Sequence, residues 1–178
     1  MAQTATLYRF CLDVSDIDRD FYESLDLRVA MHPSEIPHYL LTRILAFALN
    51  SKRGLEFSPG GLSDTDAPCI RCLSDNGTLD GWIEVGNPSA RKLHKAAKAA
   101  RDVKVYTYKD PKSLLEEIAA EKVHRASEIP IYSLQPKFLD ELAKWLERTN
   151  EWSVLHQEGV LTVSSSHGTL EGSLTRHQ

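Results

Sequence analysis

The chain has 178 residues, of which 42% are hydrophobic and 26% are charged, and this balance excludes a largely disordered protein. Its length allows one substantial hydrophobic core, so we expect a single domain over residues 1–178. A net charge of -4 excludes a protein that coats nucleic acid through bulk charge, although a local basic site remains compatible with it.

The sequence predicts a cytoplasmic protein that does not span a membrane. No segment approaches the roughly twenty apolar residues that a membrane helix needs. The first residues, Met-Ala-Gln-Thr, lack the charged and then apolar pattern of a secretory signal. The three cysteines are odd in number and do not suggest a disulfide framework.

The first part of the chain predicts a β-hairpin followed by a helix. Apolar and polar side chains alternate over residues 4–14 and 21–30, on either side of a polar turn, as is typical of paired strands. An apolar stripe predicts a helix over residues 34–50. Pro37 is tolerated only in the first turn of a helix, so Glu35 should lie at the helix N-terminus.

A loop and a second hairpin are predicted next. Residues 52–66 have the composition of a loop, and the strands predicted over residues 68–73 and 79–85 flank a tight Asp-Asn-Gly turn and should pair. Side chains alternate along a strand, so Glu84 shares a face with Trp82. A carboxylate near the C-terminal end of such a strand lies where ligands gather in open α/β sheets.

The helix predicted over residues 89–100 presents a basic face beside its apolar stripe. A cluster of this kind can bind phosphate groups, and it is also typical of an ordinary solvated helix face. The cations are Arg91, Lys92, Lys95 and Lys98.

The remainder of the chain alternates strands with helices and ends in short strands. Strands over residues 103–108 and 130–134 alternate with helices over residues 111–122 and 136–148, which predicts a partly parallel sheet. The last predicted strands are antiparallel and cover residues 152–157, 160–165 and 169–174.

Cys69 and Cys72 have the spacing of a zinc or redox pair, which defines one functional hypothesis. Residues three apart on a strand point to opposite faces, and no second cysteine pair completes a tetrahedral site. The sequence therefore favours two ordinary strand cysteines.

Four ordered blocks of the chain resemble the YaeQ family of bacterial proteins, and the resemblance covers nearly the whole chain. It implies a mixed β-sheet flanked by helices, in a variant of the restriction-endonuclease-like PD-(D/E)XK nuclease fold. Additional antiparallel strands are expected at the N- and C-terminal ends. The blocks are residues 32–35 (His-Pro-Ser-Glu), 43–47 (Arg-Ile-Leu-Ala-Phe), 61–68 (Gly-Leu-Ser-Asp-Thr-Asp-Ala-Pro) and 82–88 (Trp-Ile-Glu-Val-Gly-Asn-Pro).

The implied nuclease fold gives roles to three carboxylates. Glu35 would supply the helix carboxylate, Asp66 the loop acid and Glu84 the strand acid, and together they would hold Mg²⁺ or Mn²⁺ against a scissile phosphate. Clustered carboxylates repel one another unless a divalent cation neutralises them. The leading hypothesis is therefore a Mg²⁺-dependent nuclease-like protein that hydrolyses phosphodiester bonds of nucleic acid.

Two positions depart from the nuclease motif. Gly86 stands where the motif has lysine, and Cys69 stands where it has aspartate. Lys92 or Lys95 on the following helix is long enough to take the role of the lysine and stabilise phosphate charge. The alternative hypothesis is a non-catalytic descendant of the fold that binds nucleic acid or a protein partner.

Each candidate carboxylate also has a structural explanation. Glu35 can complement the positive N-terminus of a helix, and the loop acids Asp64 and Asp66 can stabilise turns through their own backbone. Glu84 can form an ion pair with a nearby cation, for which the candidates are Arg43 and Lys92. Convergence of the three carboxylates on one point would favour the nuclease hypothesis, and their dispersal would favour the binding protein.

Overall fold

The computed structural model describes residues 4–178, which form ten strands and four α-helices. The mixed α/β class predicted from the sequence is confirmed. The helices are α1 (Pro37–Asn50), α2 (Ala90–Ala99), α3 (Lys112–Ala120) and α4 (Pro136–Ala143). The strands are β1 (Thr6–Asp16), β2 (Phe21–Met31), β3 (Leu55–Phe57), β4 (Ile70–Leu73), β5 (Leu79–Val85), β6 (Asp102–Thr107), β7 (Ile131–Leu134), β8 (Thr149–Gln157), β9 (Val160–Ser165) and β10 (Gly168–Arg176).

All ten strands belong to one sheet, in the order β2-β1-β8-β9-β10-β7-β6-β5-β4-β3. The predicted hairpin of β1 and β2 is confirmed, and the terminal strands β8, β9 and β10 are antiparallel as expected. Parallel pairing of β1 with β8 joins these two groups of antiparallel strands. The additional strands from both ends of the chain therefore form one half of the sheet.

The other half of the sheet carries the parallel strands. β5, β6 and β7 run parallel, which confirms the partly parallel sheet, and β4 pairs antiparallel with β5 as predicted. β10 connects the two halves because it pairs with β9 along its first part and with β7 through Leu174–Arg176.

α1 lies at the centre of the larger hydrophobic core. Every residue from Leu40 to Asn50 is buried, which exceeds the single apolar stripe expected from the sequence. The helix packs against β1, β3, β5, β6 and α4. Its buried polar side chains therefore need partners: Thr42 donates a hydrogen bond to the His38 carbonyl, and Asn50 donates to the Ala46 carbonyl.

A second core covers the opposite face of β5, β6 and β7. Trp82, Val103, Val105 and Ile131 project from these strands toward α2 and α3, whereas Ile83 projects toward α1. This alternation places Glu84 on the same side of the sheet as Trp82 and α2, as the sequence predicted.

The first helix begins three residues later than predicted, at Pro37, with Ile36 as its N-cap. Glu35 lies outside the helix because it closes a tight turn. Its amide donates to the His32 carbonyl, and its Oε2 accepts a 2.9 Å hydrogen bond from the His32 amide. The prediction that Glu35 belongs to the helix is wrong for this reason.

Two further boundaries differ from the predictions. The predicted loop over residues 52–66 contains β3, a three-residue edge strand that pairs with β4. α4 ends at Ala143, five residues earlier than predicted. Beyond it the backbone forms hydrogen bonds between residues three apart, such as the one from the Trp145 amide to the Leu142 carbonyl.

No helix within residues 4–178 is long and apolar enough to cross a membrane.

Gly172 allows α4 to pack closely on β10. A Cβ atom at this position would lie 2.7 Å from Phe138 Cδ2, which is inside van der Waals contact. We expect Gly172→Ala to lower the free energy of unfolding by about 1 to 3 kcal/mol through overpacking. Urea denaturation should show that Gly172→Ala combined with Phe138→Ala loses less stability than the sum of the two single losses, because Phe138→Ala removes the ring atoms, Cγ included, that the new methyl group would meet. Wild-type stability of Gly172→Ala would contradict this packing argument.

Candidate functional site

A pocket of about 400 Å³ opens at the carboxyl ends of β5 and β6, beside the start of α2. Ligands gather at such positions in α/β sheets because strand ends and helix starts meet there. The polar side chains that line it include Tyr39, Asp64, Glu84, Asn87, Lys92 and Lys109.

Glu84 is buried at this pocket, where it is only 2% exposed. Its Oε1 accepts a 2.7 Å hydrogen bond from Trp82 Nε1 and lies 3.0 Å from Lys92 Nζ. Burial raises the pKa of Glu84, and the charge of Lys92 opposes that rise. Glu84 therefore forms the ion pair that the structural explanation predicted, and its partner is Lys92.

Lys92 reaches Glu84 from the first turn of α2, which Ser89 caps by accepting a hydrogen bond from the Lys92 amide. Its side chain is 20% exposed, so the ammonium group contacts both Glu84 and the pocket. Of the two lysines predicted to replace the motif lysine, Lys92 is thus the one beside the strand acid. Lys95 Nζ instead lies 3.5 Å from Asp66 Oδ1.

The backbone at Gly86 explains the missing motif lysine. Gly86 has a φ of +88°, and its amide donates to the Tyr106 carbonyl as β5 ends. This left-handed conformation strongly favours glycine, so a lysine here would be strained.

Cys69 and Tyr39 complete the surroundings of Glu84. Cys69 immediately precedes β4, and its Sγ lies 3.5 Å from Glu84 Oε2 and 3.0 Å from the Tyr39 hydroxyl. Burial, together with the charge of Glu84, raises the pKa of the Cys69 thiol to about 11. The thiol is therefore protonated at neutral pH. Sequence reasoning missed the Tyr39 contact because it joins α1 to a segment 30 residues along the chain.

Glu35 does not line this pocket. Its carboxylate is buried and lies 3.3 Å from Arg43 Nη2, and the same guanidinium donates to the Ala30 carbonyl. Burial raises the pKa of Glu35 against the opposing charge of Arg43. Glu35 thus lies outside both α1 and the pocket lining, and Tyr39 is the α1 residue that reaches the pocket.

The two loop acids face different surroundings. Asp64 lines the pocket, and its Oδ1 accepts a 3.1 Å hydrogen bond from the Asp66 amide, which confirms the turn-stabilising role for Asp64. Asp66 points outward with a side chain that is 82% exposed.

The three-carboxylate metal centre expected from the resemblance does not form. Within residues 4–178, no group of three or more histidine, cysteine, aspartate or glutamate side chains is arranged to hold a metal ion. Glu35, Asp66 and Glu84 are dispersed, and each lies beside a cation of its own, namely Arg43, Lys95 and Lys92. These residues do not fit a Mg²⁺ or Mn²⁺ ion shared among them.

The backbone amides at the start of α2 are largely occupied. The Ala90 amide donates to Glu117 Oε1 at 2.9 Å, and the Lys92 and Leu93 amides bond to Ser89. An anion at this helix end would therefore be held mainly by side chains rather than by free amides.

Cations continue from the pocket along α2. Arg91, Lys95 and Lys98 are exposed, and a groove lined in part by Arg91, Lys92 and Lys95 adjoins the pocket. Lys109 also lines the pocket, with its Nζ 5.6 Å from the centre of the Tyr108 ring. We call the track formed by Lys109, Lys92, Lys95 and Arg91 the basic track.

Comparison with known proteins supports the resemblance. A family model described as YaeQ protein matches residues 1–174. The uncharacterized protein YaeQ of Salmonella typhi is 30% identical over 179 residues, covering 100% of this chain and 98% of the relative. Its Escherichia coli K12 counterpart is 29% identical with the same coverage.

Two crystal structures of YaeQ proteins have the same fold. The protein from Xanthomonas axonopodis pv. citri superposes with a TM-score of 0.90 at 30% identity, covering 98% of this chain and 99% of that chain. The protein from Pseudomonas syringae gives a TM-score of 0.89 at 31% identity, with coverages of 98% and 96%.

Proposed function

Since the chain belongs to the YaeQ family, we propose that its pocket and basic track bind the phosphate groups of a nucleic acid. The observation that carries this proposal is the position of Lys92. Its ammonium group is 3.0 Å from Glu84 Oε1, and its side chain lines both the pocket and the adjoining groove. A phosphate in the pocket would contact Lys92 and Lys109, and the next one along a strand would contact Arg91 and Lys95. These phosphates compete with the carboxylates that already pair with Lys92 and Lys95.

Aromatic side chains favour a single strand as the bound form. Tyr39 and Tyr108 pack edge to face at the pocket, with ring centres 6.2 Å apart, and Tyr108 is partly exposed. Bases of a single strand stack on exposed aromatic rings while lysines track the backbone. A duplex would keep its bases out of reach of a pocket of this size.

Local charge, not total charge, accounts for the affinity in this proposal. The chain has a net charge of -4, so electrostatic attraction depends on the basic track alone. Nonspecific binding of this kind falls in the range of about 10⁻⁴ to 10⁻⁶ M and weakens steeply with salt.

We also propose that the fold is a variant of the restriction-endonuclease-like fold, and the pair of Glu84 and Lys92 supports this. A strand carboxylate beside a lysine is the pairing that the nuclease motif requires, here with the lysine supplied from α2. This pair makes phosphodiester hydrolysis the second candidate function. We favour binding without cleavage because the carboxylates are dispersed and Glu84 is already neutralised by a cation.

A binding and cleavage assay on the same oligonucleotides tests the proposal. Fluorescent single-stranded DNA and RNA should bind the wild-type protein in EDTA, without any need for Mg²⁺, and should remain uncut when Mg²⁺ is added. Lys95→Met and Lys109→Met should each weaken binding several-fold. Lys144→Met is the matched control because Lys144 pairs with Glu141 on the surface and lies outside both pockets.

Three results would reject or replace the proposal. Absence of binding to any oligonucleotide would reject it and favour a protein partner. Metal-dependent cleavage that Lys92→Met abolishes would favour the second candidate. Equal affinity losses in Lys144→Met and the track variants would remove the site assignment.

A further inference from the structure

A second pocket, of about 340 Å³, opens at the C-terminal end of α1, the end farther from Tyr39 and the basic track. The ends of β1 and β8 meet β6, β7 and β10 there, so the two halves of the sheet both contribute to it. Its volume is at the lower end of the range for small-molecule sites, about 300 to 1,000 Å³.

A buried hydroxyl group in this pocket has a proton to donate. Tyr106 is 4% exposed, and its oxygen accepts a 2.9 Å hydrogen bond from Asn50 Nδ2. The amide of Asn50 is fixed in that orientation because Lys104 Nζ donates to Asn50 Oδ1 at 2.9 Å. Within the described residues, 4–178, the Tyr106 proton has no protein acceptor, and a buried donor needs one.

The carboxylates of the pocket are already engaged. Asp16 is 1% exposed and accepts hydrogen bonds from Arg19 Nε at 2.7 Å and, at 2.9 Å, from His156 Nδ1. Asp18 accepts from the Glu158 amide and lies 3.8 Å from His156 Nε2. The two carboxylates are therefore engaged within the protein, whereas the Tyr106 hydroxyl can donate to an acceptor from outside it.

The charge of the pocket matches one negative charge on that ligand. Three cations, Arg19, Lys104 and Arg176, line it and outnumber by one the carboxylates that line it, Asp16 and Asp18, while Asp102 lies beside the pocket with its Oδ2 3.5 Å from Lys104 Nζ. A monoanion balances this charge. A dianion would add repulsion from the two aspartates.

The remaining wall is apolar and aromatic. The half-buried Tyr132 ring stacks on Tyr106 with centres 4.9 Å apart and planes at 19°, and Leu49 and Leu174 also line the pocket. These surfaces fit a planar apolar group.

We propose that this pocket binds a small monocarboxylate with a planar, apolar body, and that its carboxylate accepts hydrogen bonds from the Tyr106 hydroxyl and from Lys104 or Arg176. The body of the ligand lies against Tyr132, Leu49 and Leu174. This site is separate from the basic track, and it does not depend on the proposed function.

Benzoate is the probe, and benzamide, which has the same shape without the charge, is the matched control ligand. Benzoate should raise the melting temperature of the wild-type protein and shift the ring resonances of Tyr132 and His156 in NMR spectra, because it binds the folded state. Benzamide should do neither at equal concentration.

Two variants locate the carboxylate. Tyr106→Phe should weaken benzoate binding about tenfold, since it removes one hydrogen bond to a charged group. Arg176→Met, at an exposed position that should not affect folding, should weaken it several-fold. Lys144→Met should bind as the wild type does. The proposal is overturned if benzoate does not bind, if benzamide binds equally well, or if Arg176→Met and folded Tyr106→Phe both keep wild-type affinity.

Discussion

Lys92→Met is expected to lower the free energy of unfolding by about 3 kcal/mol at pH 7, because it leaves the Glu84 carboxylate buried without its cation. The side chain of Glu84 is 3% exposed and that of Lys92 is 20% exposed, so solvent screens the pair only in part. Urea denaturation measures the change. Lys95→Met is the matched control on the same helix, since Lys95 pairs with an Asp66 side chain that is 82% exposed, and its loss should be about 0 to 1 kcal/mol.

The loss in Lys92→Met should depend on pH in a defined direction. Burial raises the folded-state pKa of Glu84 above its ordinary value of 4.5, against the opposing charge of Lys92. The stabilising contribution of Glu84 is thus fully present below pH 4.5 and is lost as the pH rises through the folded-state pKa. Removing Lys92 raises that pKa further, so the deficit should be small near pH 4 and should grow toward pH 7. A deficit that is constant across this range, or equal to that of Lys95→Met, would contradict the buried pair.

Arg43→Met should cost about 3 to 5 kcal/mol, because Arg43 is the cation beside buried Glu35. Side-chain exposures of 8% and 1% place both groups of this pair in the interior. The substitution also removes the hydrogen bond to the Ala30 carbonyl. It removes the cation–π contacts of the guanidinium group as well, which lies 5.8 Å from the centres of the Tyr39 and Phe57 rings. Thermal and urea unfolding should both report the loss.

Adding Glu35→Gln to Arg43→Met should restore part of this stability, because it removes the buried charge that Arg43 leaves behind. Arg9→Met is the surface control: Arg9 and its partner Asp26 are 45% and 49% exposed, so breaking that pair should cost at most about 1 kcal/mol. If Arg43→Met were no more destabilising than Arg9→Met, the pair would not hold the turn before α1 in place.

Local patterns in the sequence predicted much of the fold. The hairpin of β1 and β2 follows from strict alternation, and α2 follows from an apolar stripe capped by Ser89. The start of α1 was wrong because the backbone and side chain of Glu35 bond to His32, and that competing turn replaces the first helical residues. The pairing of β10 with both β9 and β7 depends on how distant strands assemble, which no local pattern encodes.

The candidate site was predictable where short-range geometry decides it. Strand alternation placed Glu84 beside Trp82, and the reach of a lysine from the next helix brought Lys92 to Glu84. The contact between Tyr39 and Cys69 could not be predicted, because it joins two segments 30 residues apart through the tertiary fold. Glu35 was placed in the helix because the predicted start of α1 was three residues too early. In the structure Glu35 precedes the helix and pairs with Arg43.

The salt dependence of oligonucleotide affinity tests the proposed function most directly. Each cation that neutralises a phosphate of a single strand contributes about 0.7 to the slope of log affinity against log salt. We predict that Lys95→Met and Lys109→Met each reduce this slope by about 0.7, and that Lys144→Met leaves it unchanged. Identical slopes for all four proteins, the wild type included, would contradict phosphate binding by the basic track.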